Sequence, residues 1–214
     1  MATQLSVFND ALGVLGARSL VATTDPVEPA RVLTSLWDHV VKYCLEQGRW
    51  KFAEREAALT PSLVEIPTFG MANAFDKPDD YVRLNEMSAD EYFISPLFFV
   101  HERGPYWYSD LEEIWIRYIS DDASYGGNLA AWPETFTTFV TLYLAVRGAP
   151  RIAPTKKVEL IRIGANMDLD GAKKNALAKD AVAGPTQFLP EGRWAASRGG
   201  RTRGRNSRRS LYGS

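Results

Sequence analysis

The chain has 214 residues, with 25 basic and 26 acidic side chains, 45 % apolar residues and 12 % aromatic ones. That composition is enough for a substantial buried core and excludes a disordered or fibrous class, while a single cysteine, Cys44, excludes an internal disulfide. The near-zero formal charge of −1 hides a strong asymmetry: seven arginines lie between Arg193 and Arg209 with no lysine and no acid, so residues 1–192 carry a net −8. The opening "MATQLSVFND" lacks the basic start of a signal peptide, and no apolar run approaches the roughly 20 residues of a membrane span, so a protein made in the cytoplasm with no membrane partner is expected.

In chain order, Leu5, Phe8, Leu12 and Leu15 recur at helical spacing and predict a first helix over about 3–15, closed by Gly16. "DPVEPARVLTSLWDHVVKYCLEQG" predicts a long helix over about 25–47. Asp25 is its expected cap, Pro26 its first helical residue and Glu28 the far side of a capping box. Leu33, Leu36, Trp37, Val40, Val41 and Cys44 form its apolar face, which places Trp37 in the core and leaves Cys44 a buried, inert thiol.

From about 50 to 120 the pattern turns to strand. A strand is expected near Trp50, then a loop punctuated by Pro61, Pro67, Gly70 and Pro78 in which Phe69, Met71 and Phe75 are unusually apolar. "YVRLNEM" alternates with period two, "FFVHERGPYWYSD" reads as a hairpin about Arg103-Gly104-Pro105, and "EEIWIRYIS" places Ile114, Ile116 and Tyr118 on one face. Helices resume at Pro133, over about 133–148 and 154–183, the second weakened at Gly164 and Gly171. The expected fold is α+β: a mainly helical four-helix bundle, a small antiparallel sheet or hairpin insert, and an extended arm over 184–214.

Reactive constellations are scarce. His39 and His101 are the two histidines, and no HxxxH, HExxH or CxxC spacing occurs. "DLDG" at Asp168–Gly171 spells a fragment of a calcium loop without its closing glutamate, and a solvated helix is the better reading. The adjacent acids Asp79-Asp80, Glu112-Glu113 and Asp121-Asp122 point to opposite faces in a strand and to water in a turn. No enzyme, metal or cofactor is expected.

Five segments taken together carry a resemblance: "FNDALGVLG", "DPVEPARVLTSLWDHVVKYCLEQGRWKFA", "AFDKPDDYVRL", "EEIWIRYISDD" and "WPETFTTFVTLYLA". In this order and spacing, over roughly residues 5–180, the chain resembles the head-to-tail adaptor family of tailed bacteriophages and gene transfer agents, the gatekeeper or tail tubular proteins. The resemblance implies a virion protein that forms a ring, usually of twelve copies, beneath the portal. Such a ring extends the channel for packaged DNA and carries the next tail component, a stopper or nozzle protein. It also implies that the helices form the ring wall and that the β-rich insert faces the tail. Phe69, Met71, Phe75, Tyr106 and Trp107 then become candidates for tail-side contacts, with a place in the protein's own core as the open alternative.

The arm holds few apolar side chains, Phe188, Leu189, Trp194, Leu211 and Tyr212, too few to offset the ordering of 31 residues, so order is expected only on a partner. By analogy with the family that partner is the portal, met by Arg198, Arg201, Arg203, Arg205, Arg208 and Arg209, with Leu211 and Tyr212 as a terminal anchor. The alternative is a nucleic-acid-binding protein that uses the Arg/Gly-rich arm, although the acidic body carries no RNA-binding signature. A cell-wall-cleaving enzyme is a third class for a tail-associated protein, and no residue argues for it.

Overall fold

Thr3 and Ser6 each bond the other's backbone N–H, at 3.0 and 3.1 Å, and so start the first helix. This reciprocal capping box fixes α1, Gln4–Val14, in the computed structural model, which describes residues 2–68, 70–97, 100–153 and 158–182. The chain divides into two units, Met1–Ala183 and Gly184–Ser214, and the description that follows is of the first.

The second helix, α2, is Glu28–Glu46, and its start differs from the expected one. Asp25 does not cap it: its carboxylate accepts from the N–H groups of Val21 (2.8 Å) and Ala22 (3.1 Å) and closes the preceding turn. Val27 is the N-cap, with no side-chain bond, and Pro29 rather than Pro26 occupies the first turn, where a missing N–H costs nothing. Ala30, Leu33, Val40 and Cys44 are buried as the pattern requires. Trp37 is only partly buried, at the rim of the core, edge-on to Phe8 (5.5 Å) and stacked on Trp132 (6.1 Å).

After α2 the chain does not enter a strand at Trp50. Trp50 is fully buried, its indole N–H donates to the Cys44 carbonyl at 3.1 Å, and a single 3-10 turn at Lys51–Ala53 follows. Strands β1 (Glu54–Leu59), β2 (Asn73–Asp76), β3 (Tyr81–Ser88), β4 (His101–Arg103), β5 (Tyr106–Ser109) and β6 (Ile114–Ser120) come next. They pair as two three-stranded antiparallel sheets, β1-β6-β3 and β2-β5-β4. The β4–β5 hairpin turns on Gly104-Pro105. Gly104 has φ +58° while proline must keep φ near −65°, which is the two-residue II′ turn that suits twisted strands.

Helices α3 (Glu134–Ile152) and α4 (Val158–Val182) complete the unit, and α4 is one helix through Gly164 and Gly171. The expected stop of α3 at Gly148 does not occur. An added Cβ at Gly148 would lie 3.1 Å from Ile152 Cδ1 and 3.4 Å from Leu33 Cδ2, and the helix runs on through Pro150. α3 is the hub: it packs against α1, α2 and α4, and buries Phe136, Phe139, Val140, Leu144 and Ala149.

The described residues thus hold four helices and two antiparallel sheets, and the expected mainly helical four-helix bundle with a small insert is incorrect. The physical reason is a second core. Phe75, Met87, Trp107, Ile114, Ile116 and Tyr118 pack together between the strands and make residues 54–120 a body with its own interior. On β6, Tyr118 belongs to this core and its neighbour Ile119 to the helical one.

One carboxylate locks the helix-proximal end of the first sheet. Asp80 accepts from Arg55 Nη1 on β1 (2.8 Å), from the Tyr118 hydroxyl on β6 (3.0 Å) and from the Ser120 hydroxyl, while its carbonyl accepts from Asp121 N (3.1 Å). Burial alone would raise its carboxyl, but the hydrogen bonds from Ser120, Arg55 and Tyr118 together outweigh burial and hold it below the ordinary carboxylate range. A lowered folded-state value means stability that is present above the unfolded pKa of about 3.9 and lost as pH falls through the folded value. Asp80→Asn should therefore cost about 2 kcal/mol at neutral pH, less than a fully buried pair because Arg55 is 39 % exposed. In urea titrations the gap between wild type and variant should close as pH drops below 3.9. A gap that stays constant would mean that the carboxylate charge is not what holds the sheet.

Candidate docking surfaces

Strands β1 and β3 are both antiparallel to β6, so they run parallel to each other and leave the first sheet at the same end. The register fixes which end: Leu59 lies opposite Ile114 and Ser88 opposite Trp115, whereas Glu54 and Tyr81 lie beside Ile119 and Ser120 at the helical end. The connections 60–72 and 89–100, and the turn 110–113 that leads into β6, therefore gather at the end of the sheet remote from the helices.

These connections carry the most exposed apolar side chains of the β body. Leu63 is 97 % exposed, Val64 84 % and Ile66 77 % on the first, and Tyr92 74 % and Ile94 78 % on the second. The second connection is built to hold its shape. Asp90 accepts from the N–H groups of Tyr92 (3.0 Å), Ile94 (3.1 Å) and Ser95 (2.6 Å) and from the Ser88 hydroxyl (3.1 Å). The Ile94 N–H is the largest of the influences that hold the Asp90 carboxyl below its ordinary value. Phe93 has φ +56°, a left-handed conformation that costs energy for a bulky residue, and the Arg117 guanidinium covers its ring at 4.1 Å. Arg117 is itself held by Glu56 at 2.7 Å, Glu86 at 3.0 Å and Glu54 at 3.9 Å, on the sheet face opposite the second core.

The residues singled out in the sequence fare unequally. Phe75 and Trp107 are register partners across β2 and β5 and both are fully buried, so they fill the second core and offer no surface. Tyr106 is half-buried beside Tyr108, with ring centres 6.4 Å apart. Met71 is half-buried and lines a cavity of about 170 Å³ with Glu65, Thr68, His101, Arg103 and Tyr108. Phe69 lies outside the described residues, as do Arg198, Arg201, Arg203, Arg205, Arg208, Arg209, Leu211 and Tyr212. The five exposed apolar residues above were missed by sequence reasoning. The signal existed in "PSLVEIP": an apolar triplet confined between two prolines has no strand partner to bury it.

Among the described residues the reactive groups lie apart. Among the described residues no group of three or more His, Cys, Asp or Glu side chains could hold a metal ion, and no helix is long and apolar enough to cross a membrane. His39 and His101 are exposed and separate, while burial pushes the Cys44 thiol far above its ordinary value. Asp168 and Asp170 are exposed on α4, as a solvated helix face requires. Comparison with protein-family models and with curated protein sequences finds no match to this chain.

Core and tip residues are separable by experiment. Trp107→Ala should lower stability by about 3–5 kcal/mol. The triple change Leu63→Ser, Val64→Ser, Ile66→Ser should leave the thermal midpoint within about 2 °C of wild type, because the removed side chains touch water. Circular dichroism melts of the two proteins decide this, and a large loss in the triple variant would place those residues in the core.

Proposed function

We propose that the chain is a structural virion subunit, a head-to-tail adaptor whose copies form a ring beneath the portal and present an attachment surface to the next tail component. The observation that carries this reading is the segregation within one unit: a helical body with its own core, and a β body whose remote end displays Leu63, Val64, Ile66, Tyr92 and Ile94. The segments that carry the family resemblance support it by their placement. "FNDALGVLG" spans most of α1, "EEIWIRYISDD" contains β6, and "WPETFTTFVTLYLA" opens α3.

In this reading the helices form the wall of a ring of about twelve copies, through which packaged DNA passes, as the resemblance implies. The tail-side surface is the pair of remote loops together with Met71, without Phe75 and Trp107, whose side chains are enclosed, and without Tyr106, which pairs with Asp76 at the other end of β5. The arginine segment at 198–209, with Leu211 and Tyr212, takes the portal as its partner through forked donors matched to carboxylates. The second reading, nucleic-acid binding, is favoured by the seven arginines between Arg193 and Arg209 and the interspersed glycines.

Electron micrographs of the purified protein, alone and mixed with portal from the same virus, test the first reading. Rings seated on the portal are expected. Loss of the segment 193–214 should abolish seating while the body stays folded. A truncated protein that seats as tightly as the full chain would remove the portal as the arginine partner, and a steep salt dependence of DNA binding by the full chain would then favour nucleic acid.

A further inference from the structure

The remote end of the β body is charged as well as apolar. The connections 60–72 and 89–100 and the turn 110–113 hold six carboxylates, Glu65, Asp90, Glu91, Asp110, Glu112 and Glu113, and no lysine, arginine or histidine. Arg117 is engaged by Glu54, Glu56 and Glu86, and Arg103 and His101 line the cavity beside Glu65, while among the described residues no ion pair engages Asp90, Glu91, Asp110, Glu112 or Glu113. Exposed apolar loop tips that stand among carboxylates without ion-pair partners select an occupant that is itself apolar and strongly cationic.

The chain carries one segment of that composition. Residues 193–212 hold seven arginines and no acid, with Trp194, Leu211 and Tyr212 as apolar side chains. We propose that, before any assembly partner is met, this segment of one copy docks on the Leu63–Ile66 and Tyr92–Ile94 loops of a second copy. Arginine suits the surface better than lysine would, because its planar fork bonds a carboxylate at two points and stacks on an exposed ring such as Tyr92. The contact is heterologous, one surface on one copy and a different one on the next, so it links copies head to tail and covers the apolar loops. It would act as a mask on the loops and on the arginines alike. The proposal does not depend on the adaptor reading, since it requires only the surface and the segment.

Full-length protein, freed of nucleic acid by nuclease, is prepared with Val64 replaced by a photoreactive phenylalanine analogue, as an equimolar mixture of light and heavy-isotope forms. After irradiation, mass spectrometry should find position 64 joined to residues 193–212, with light–heavy pairs as frequent as like pairs. Sedimentation should show self-association at about 50 mM salt that is lost at about 500 mM. The combined change Glu91→Gln, Glu112→Gln, Glu113→Gln should weaken the association about tenfold, as should Arg201→Gln, Arg203→Gln, Arg205→Gln. Crosslinks from position 64 to any other region of the second copy, like-isotope pairs alone, or self-association that survives high salt without this crosslink would each overturn the proposal.

Discussion

Asp80 is the point on which the relation between sheet and helices turns. Its carboxylate takes donors from β1 and β6 at once, and it sits immediately before β3 starts, so a single side chain ties all three strands of the first sheet at one end. That end is also where the chain passes to and from the helices: the 3-10 turn at Lys51–Ala53 leads into β1, and the loop after Ser120 leads to α3. The loop is as tightly specified as the sheet. Gly126 approaches Ser120 so closely that an added Cβ would lie 2.3 Å from its carbonyl oxygen, and its own carbonyl accepts the Trp132 indole N–H at 2.8 Å. With the junction fixed on both sides, the opposite end of the sheet is free to carry irregular loops.

Two interiors then coexist without competing. The helical core is rich in aromatic edges, where Trp50, Phe136 and Trp132 meet at centroid separations near 5 Å, and both indole N–H groups are bonded to backbone carbonyls. The β core is smaller and is closed by the pairing of Phe75 with Trp107 across adjacent strands. β6 serves both, because a strand turns successive side chains to opposite faces: Tyr118 enters one interior and Ile119 the other. An alternating strand between two cores is the economical way to join a helical body to a sheet.

Local patterns were legible in the sequence wherever one element decides its own geometry. The period-two run Ile114, Ile116, Tyr118, the Arg103-Gly104-Pro105 turn and the apolar spacing of α1 all follow from neighbours within a few residues. What depends on distant partners was not legible. Asp80 looked like one of three solvated acidic pairs because its donors lie 25, 38 and 40 residues away, across strands whose register no local rule gives. Asp25 and Gly148 mislead for a related reason. Each stands at an expected helix end, but Asp25 closes a turn instead, and Gly148 lies inside α3, near Leu33 and Ile152. At the docking surface, aromatic residues drew attention that belonged to aliphatic ones. Phe75 and Trp107 are large enough to build a core, whereas Leu63 and Ile66 stand exposed between prolines.

The parallel departure of β1 and β3 has a consequence for how such a protein can change over generations. Neither loop tip enters an interior, and the sheet beneath them is fixed from its far end, so the exposed side chains Leu63, Val64, Ile66, Tyr92 and Ile94 can be exchanged at little cost to folding while Asp90 keeps the second loop in shape. Drift in these two stretches alters what the surface fits while the scaffold stays constant. A lineage can thus exchange one neighbour for another by rewriting a handful of exposed positions, with the Asp80 junction left as it is.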